Sequence, residues 1–505
     1  MSITSLPSEL LTRICDFLEP GEWGKFRGTC HQIFANTLEA YTSRYFKKIS
    51  IILTREGLKH LEGIAGSEVL RGSVKEVWII PNLFEGYSKV DKAKLIEVDP
   101  EDYRSTLGQL PTEEEMYQFG CMLEFVYGLY KAQIREHILN LQGSGLSKTL
   151  EKCLPCLENL TSVGVQSFDT SLLLSVPIDF SCLGLRKFKS TFCGVRNYRD
   201  WPVCHPRHQD FSILHALTFS HLLKAIVKSG RKVQALHTCA NQTCGMKLKF
   251  FELSKSDYER LLPLLSDLVT LHLSIRLADY KFEVFNEATF KYLLKILARV
   301  ASTLKTLTFA QWSPSEELSA HYFQNLSQSI QFSQLKELSL YSIEVRTETL
   351  RVFLRTAAPT LRRLSMNLVS LTDPITAAPD LEVMSGDPGT WYTSLSIEVK
   401  NEIKGLWERV FQSWADQLDL HFVRLSDLGY RGRDIRLIDP LRLQHGQRDS
   451  RLSSLVRSLC FDTQKTSITF KQWVTQLRVE MWHRPGFGNP RLPATSRINF
   501  SGLRH

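Results

Sequence analysis

The sequence has no long hydrophobic run. None of its apolar stretches approaches the roughly 18 residues that a membrane-spanning helix needs, and its first residues lack the apolar segment of a secretion signal. We therefore expect neither a membrane segment nor an export signal. The eleven cysteines are odd in number and have no regular spacing, which is typical of reduced thiols in the cytosol or nucleus.

Sequence signatures of common catalytic and cofactor sites are absent too. The chain has no Gly-x-x-x-x-Gly-Lys-Ser/Thr phosphate loop, no Gly-x-Ser-x-Gly nucleophile turn and no His-Glu-x-x-His metal helix. Cys153 and Cys156 form one C-x-x-C pair without a second pair at zinc-finger spacing, which predicts structural thiols. A further group of metal-ligating residue types matches no spacing that we know for a metal site: Cys204, His205, His208, Cys239 and Cys244. We expect no cofactor, no metal and no enzymatic activity.

Positive charge is concentrated at one end of the chain. The net charge is +9, and the segment from Arg424 onward holds 15 Lys/Arg against 6 Asp/Glu, so the rest of the chain is balanced. A basic segment can attract nucleic acid or acidic proteins without sequence specificity. A solvated tail is the simpler interpretation, and on that interpretation we do not expect nucleic acid as a partner.

Residues 6–18 have the pattern of an amphipathic helix. Pro7 suits a first helical turn, where its missing N–H has no intrahelical partner, and Glu9 places negative charge near the helix N-terminus. Apolar residues follow at helical spacing as a broad stripe: Leu10, Leu11, Ile14, Phe17 and Leu18. Pro20-Gly21 ends this helix in our prediction. A second apolar set at helical spacing contains Trp23, Phe26, Cys30, Ile33 and Phe34.

So few residues cannot bury this much apolar surface among themselves. They must pack on the following domain or on another protein, and periodicity alone leaves both alternatives open. The ordered pattern resembles an F-box, the helical module that joins a protein to a ubiquitin-ligase adaptor. The matching positions are Leu6, Pro7, Glu9, Leu10, Leu11, Ile14, Leu18, Phe26, Arg27, Cys30 and Ile33.

The sequence departs from the F-box pattern at Glu22, where Asp is usual, and at Gly24 and Gly28, which weaken a helix. The resemblance implies the substrate-recognition subunit of a Skp–cullin–F-box ubiquitin ligase. It implies contact with a Skp-type adaptor, through it with a cullin ligase, and with an unknown target protein. The residues implied to bind the adaptor are Leu6, Pro7, Leu10, Leu11, Ile14, Leu18, Trp23 and Phe26.

A leucine frame, L-x-x-L-x-(L/F/M), recurs in the body of the chain. Clear frames are Leu268/Leu271/Leu273, Leu304/Leu307/Phe309, Leu335/Leu338/Leu340 and Leu361/Leu364/Met366; weaker ones are Val74/Val77/Ile79, Leu157/Leu160/Val163 and Leu183/Leu185/Phe188. Helical patterns lie between the clear frames, as in repeated βα units that bury their apolar faces by stacking. Together with the run from Tyr45 to Ile80, this order is similar to fungal F-box proteins with a leucine-rich-repeat-like body. We expect an α/β fold, an irregular αβ solenoid, with a generic parallel α/β domain as the alternative.

Two polar segments interrupt the repeats. Residues 86–115 predict a loop that leads into a helix over 113–142, and residues 371–392 predict a long insertion rich in Pro and Gly. Aromatic residues in or after the insertion are candidate binding anchors or core residues: Trp391, Tyr392, Trp407 and Trp414.

The expected domains are an F-box over 1–50, the solenoid over 51–440 and a basic, partly disordered tail over 441–505. Within the tail, an amphipathic helix is predicted near 470–482, which either docks on the body or faces a partner: Phe470, Trp473, Val474, Leu477 and Met481. Two further functions stay open: a scaffold that uses the F-box outside ubiquitin transfer, and a nucleic-acid-associated repeat protein that binds through its tail.

Overall fold

A computed structural model describes residues 3–81, 112–166, 182–192, 210–238, 245–248, 253–277, 287–313, 315–376, 396–431, 433–438, 440 and 455–481. The chain forms two compact units, Met1–Val233 and Gln234–His505, and each contains helices and mostly parallel strands. This division differs from the expected boundaries at 50 and 440. The N-terminal helices share a unit with the first strands, and part of the expected tail belongs to the second unit.

The first unit begins with four short helices before its first strand. Its helices are α1 Ser8–Asp16, α2 Pro20–Arg27, α3 His31–Asn36, α4 Leu38–Tyr45, α5 Arg55–Gly66, α6 Glu68–Arg71, α7 Glu113–Gln142, α8 Gly145–Cys153, α9 Leu185–Phe192 and α10 Asp210–Ser229. Its strands are β1 Lys48–Ile52, β2 Glu76–Ile80, β3 Ser162–Val165 and β4 Cys182–Leu183.

The four strands of this unit are parallel and lie in the order β3-β2-β1-β4. Strands β1 and β2 are buried on both faces after their first residue, as expected for parallel strands whose sequences are nearly continuous apolar runs. The strands expected from the first two weaker frames are therefore confirmed. The third weaker frame is wrong, because β4 ends at Leu183 and helix α9 begins at Leu185.

Two glycines allow α5 to lie close to β4 and to the end of β1. Gly184 has φ +86°, and a Cβ added there would lie 2.8 Å from Thr54 Oγ1 and 3.1 Å from Gly57 Cα. A Cβ at Gly57 would collide with the carbonyl oxygen of Ile52. Only glycine tolerates both this left-handed conformation and this close backbone approach.

The second unit alternates strands and helices over most of its length. Its helices are α11 Lys255–Leu264, α12 Glu287–Val300, α13 Glu316–Ser329, α14 Thr347–Ala357, α15 Ile397–Gln417 and α16 Phe470–Gln476. Its strands are β5 Ala235–His237, β6 Met246–Lys247, β7 Thr270–Arg276, β8 Thr306–Trp312, β9 Glu337–Tyr341, β10 Glu344–Val345, β11 Arg363–Asn367, β12 Ser370–Leu371, β13 Phe422–Ser426, β14 Gly429–Tyr430, β15 Arg433–Ile438, β16 Leu455–Val456, β17 Ser458–Asp462 and β18 Arg478–Met481.

The clear leucine frames lie on β7, β8, β9 and β11, which are neighbours in the parallel order β5-β7-β8-β9-β11-β13, and β17 pairs with β13 antiparallel. The central residues of successive frames stand in register across the sheet: Leu271, Leu307, Leu338, Leu364 and Val423. All five are buried. The expected α/β class with parallel strands is thus confirmed, while the finer interpretation as a solenoid stays a prediction.

Val423 belongs to a fifth frame, Leu420/Val423/Leu425, which the sequence analysis did not include among the frames. Three of the frames also continue past the strand in the same way. One residue in the left-handed region, Ser342, Leu368 or Asp427, turns the chain into a short second strand. The next residue is apolar and buried in each case: Ile343, Val369 and Leu428. These short strands form a second sheet in the order β10-β12-β14, and β15 pairs antiparallel with β14.

Residues 455–481 fold within the second unit, which corrects the expectation of a tail that begins at 441. Strand β18 pairs antiparallel with β15, and the ring of Trp473 in α16 stacks on Phe461 at a centroid distance of 5.0 Å. The helix predicted near 470–482 ends at Gln476, because Arg478–Met481 forms a strand instead. The basic residues before and after this segment lie outside the described residues.

The structure assigns Trp407 and Trp414 to the core, since both are fully buried in α15. They are therefore core residues rather than surface anchors, and Trp391 and Tyr392 lie outside the described residues. The expected helix over 113–142 is confirmed as α7. It begins with a capping box, in which the Glu115 amide donates to Thr112 Oγ1 and the Thr112 amide donates to Glu115 Oε2.

Among the described residues, no helix combines the length and the apolar character that crossing a bilayer requires. The same residues contain no cluster of three or more His, Cys, Asp or Glu side chains able to hold a metal ion. Cys153 is buried, and burial raises the pKa of its thiol to about 12, so the thiol stays protonated. The group of residue types around Cys204 and His208 lies outside the described residues.

Candidate protein-binding surface on the N-terminal helices

Residues 3–46, with helices α1 to α4, form a small helical module with its own core. Its buried apolar side chains come from three of the four helices: Leu11 and Cys15 from α1, Trp23 from α2 and Ile33 from α3. Helix α1 begins directly after Pro7, which occupies the capping position with extended backbone rather than the first turn. Pro20 opens α2 instead of only ending the preceding helix.

The second apolar set divides into two helices. Helix α2 ends at Arg27, and Cys30 caps α3, where its Sγ accepts a hydrogen bond from the Ile33 amide at 3.5 Å. The Glu19 amide donates to Glu22 Oε2 at 3.0 Å at the start of α2, so Glu22 serves as an N-terminal acceptor. Of the two glycines that weaken a helix, Gly24 lies inside α2 and Gly28 directly follows it, and α2 has only eight residues.

Aromatic rings from α4 enclose the Trp23 side chain. Tyr41 and Tyr45 meet its indole ring edge-on at centroid distances of 5.6 and 5.4 Å. Arg44 extends across the same ring and forms an ion pair of 3.0 Å with Asp16, which connects α4 to α1. Trp23 is thus a central packing residue of the module.

Arg27 lies between two aromatic rings inside the module. Its guanidinium carbon is 4.3 Å from the centroid of Phe34 and 4.0 Å from that of Tyr41. Burial lowers the pKa of this guanidinium from its ordinary value, while the neighbouring Tyr41 acts in the opposite direction. A cation between two π faces is a favourable arrangement that holds α2, α3 and α4 together.

The outer side of α1 carries a different set of side chains, which we call the α1 stripe: Leu10, Ile14 and Phe17. They recur at i, i+4 and i+7 and so share one face of the helix. Their exposed fractions are 45% for Leu10, 36% for Ile14 and 89% for Phe17. Phe34 on α3 is also 45% exposed. Water therefore meets a row of large apolar side chains on a module whose core is already filled, which is typical of an interaction site.

The eight residues expected to bind an adaptor fall into three groups. Pro7, Leu10 and Ile14 are exposed, and Leu6, Leu18 and Phe26 are half-buried. Leu11 and Trp23 are buried in the module and act as packing residues. Leu11 differs from its neighbour Leu10 because successive positions of a helix point in different directions. The structure adds Phe17 and Phe34 as exposed candidates. The spacing of Phe17 from Leu10 and Ile14 is the sequence signal that could have identified it.

The strands of the second unit carry polar side chains at the positions that alternate with the leucines of the frames. We call these side chains the polar row. Thr308, Ser339, Ser365 and Arg424 stand side by side on β8, β9, β11 and β13. The three hydroxyl-bearing residues are half-buried, and Arg424 is exposed. Burial raises the pKa of Tyr341, whose hydroxyl hydrogen bonds with Ser365 and Ser339. This row is a polar surface that ends in a cation, and its groups can form hydrogen bonds with a protein chain.

Comparison with protein-family models and with curated proteins finds no match to this chain.

Proposed function

We propose that the protein is a substrate receptor of a Skp–cullin–F-box ubiquitin ligase, in which the helical module binds the Skp-type adaptor. The observation that carries this proposal is the α1 stripe, an exposed apolar row on a module that already has its own core. Burial of apolar surface is the main driving force of protein association. The resemblance of residues 6–33 to an F-box supports the choice of partner.

In this proposal the adaptor covers Pro7, Leu10, Ile14 and Phe17. A standard interface buries about 800 Å² on each partner, more than one helix face offers. The half-buried Leu6, Leu18 and Phe26 and the exposed Phe34 supply further apolar surface around the stripe. Leu11 and Trp23 contribute indirectly, since they keep α1 in position.

The second unit holds the target protein in this proposal, and the polar row is its candidate contact surface. The ligase acts by proximity: it holds the target close to a ubiquitin-charged enzyme, so that a bimolecular step becomes effectively intramolecular. The receptor itself performs no chemistry in this scheme. An arginine among hydroxyl groups favours a target segment with a carboxylate or phosphate group.

Co-purification of the full chain with a Skp-type adaptor tests the proposal. We expect Leu10→Ala combined with Ile14→Ala to reduce adaptor affinity by about 30-fold or more, since central hot-spot residues contribute roughly 2 kcal/mol or more. Ile397→Ala is the matched control, because Ile397 is 69% exposed and belongs to the other unit. Undiminished binding by the double variant, with the helices still folded by circular dichroism, would contradict the proposal.

A second experiment separates ligase function from a scaffold that uses the same contact. If adaptor binding brings the target to ubiquitin transfer, mutation of the α1 stripe should slow the turnover of a bound target. Turnover that stays the same while adaptor binding is lost would favour the scaffold.

A further inference from the structure

Helix α7 exposes an apolar face along most of its 30 residues. One side of the helix packs into the first unit, where Tyr127, His137 and Leu141 are buried. The opposite side carries large side chains in water: Tyr117 is 74% exposed, Phe125 68% and Leu139 70%. Three separate apolar side chains of this size on one helix face indicate that the face has a partner.

Small residues lie between these large ones. Cys121, Gly128 and Ala132 are exposed on the same face, and a Cβ added at Gly128 would meet nothing within 4 Å. From Cys121 through Phe125, Gly128, Ala132 and Arg135 to Leu139, the positions advance by alternating steps of four and three residues. This is the heptad spacing with which one helix packs against another, a large side chain of one entering a space on the other.

Charge is distributed unequally along the same helix. Its N-terminal half carries Glu113, Glu114, Glu115 and Glu124. Exposed cations follow in the C-terminal half at Lys131 and Arg135, where the one carboxylate, Glu136, is half-buried and accepts a hydrogen bond from the Arg55 amide. Lys131 lies with its ammonium 4.9 Å from the ring centroid of Tyr127, at the border of the exposed face. A helix of this kind complements a second copy of itself in the antiparallel direction, whereas parallel pairing would place like charges together.

We propose that α7 forms a homodimer contact with α7 of a second copy, antiparallel, about a two-fold axis that crosses the exposed face midway between residues 125 and 128. In this register Phe125 packs over Gly128 of the second copy, and Cys121 faces Ala132. Glu124 and Lys131 occupy equivalent flanking positions of the heptad, which oppose each other in antiparallel pairs. The two-fold symmetry produces each of these contacts twice.

The register makes a specific prediction for charge reversal. Glu124→Lys places two lysines opposite each other at both symmetric positions, and Lys131→Glu places two glutamates there. We expect each variant alone to dimerise at least about tenfold more weakly than the wild type, because attraction becomes repulsion at two sites. An equimolar mixture of the two variants should regain dimer, since every facing pair is then of opposite charge.

Sedimentation velocity of the full-length chain over a range of concentrations measures these equilibria. Phe125→Ala should also weaken the dimer, and Ile397→Ala, at an exposed position of the other unit, should leave it unchanged. Circular dichroism shows whether each variant keeps its helices. A wild type that is monomeric at every concentration would overturn the proposal, and so would a mixture of the two charge variants that remains monomeric. The α1 stripe has no part in this contact, so adaptor binding should be the same in all these variants.

Discussion

The contrast between Leu10 and Leu11 is the sharpest test of the surface on α1. The two residues are neighbours in one helix, yet Leu11 is fully buried and Leu10 is 45% exposed. Truncating a buried leucine to alanine costs about 2–5 kcal/mol, from lost burial and the cavity that remains. At Leu10 only about half of the side chain loses protein contact, so the transfer term is roughly 1 kcal/mol and no closed cavity forms.

Native-state hydrogen exchange of peptides from α1 to α4 measures these costs locally, which is necessary in a chain with two units. Leu11→Ala should accelerate exchange in this module about 30-fold or more, and Leu10→Ala about fivefold. The order should reverse for adaptor affinity, where Leu10 supplies the contact surface. Equal acceleration by both variants would show that Leu10 is as enclosed as Leu11, and the reasoning about an uncovered surface would be refuted.

Three further predictions concern stability. Gly24→Ala should stabilise α2 by about 1 kcal/mol, because alanine favours a helix and the added Cβ meets nothing within 4 Å. The measurement is hydrogen exchange over residues 20–27, which should slow. Faster exchange would mean that this glycine has a packing role. Burial, and then the charge of Glu316, raises the pKa of Glu344 to about 7. The native state therefore holds this proton more tightly than the unfolded chain does. The free energy of unfolding falls as the pH rises from about 4.5 to above 7, because the buried carboxyl group must then lose that proton. Glu344→Gln should raise the unfolding temperature above that of the wild type, and the increase should be larger at pH 8 than at pH 5. An equal increase at the two pH values would contradict this prediction. Leu425→Ala should lower the free energy of unfolding of the second unit in urea by about 2–5 kcal/mol, because Leu425 is fully buried. Cys460→Ala, on the exposed side of β17, should change it little. Similar losses for both variants would show that Leu425 is not a core residue.

Some elements could be predicted because their signal is local. The leucine frames carry a short strand pattern that few other structures satisfy, so each clear frame became a strand in register with its neighbours. The helix over 113–142 was predicted with its bounds, and in the structure a local capping box of Thr112 and Glu115 fixes the start of α7. The fifth frame, which has Val423 at its centre, was missed.

Other features depend on contacts between residues distant in the sequence. The stretch 478–481 continues the apolar pattern of α16 but becomes a strand, because β15 offers unpaired backbone groups there. In the same way, the sequence left Trp407 and Trp414 as core residues or binding anchors, and the packing of α15 placed them inside.

The sequence by itself determined the α/β class, the position of the strands that carry the clear leucine frames and the existence of an amphipathic helix after Pro7, since these follow from periodicity and local backbone preferences. It could not determine which apolar residues of that helix are covered. The broad stripe from Leu10 to Leu18 extends around much of the helix, and the tertiary contacts of α2, α3 and α4 decided that Leu11 and Cys15 face inward. The same packing left Leu10, Ile14 and Phe17 in water, where they are available to a partner.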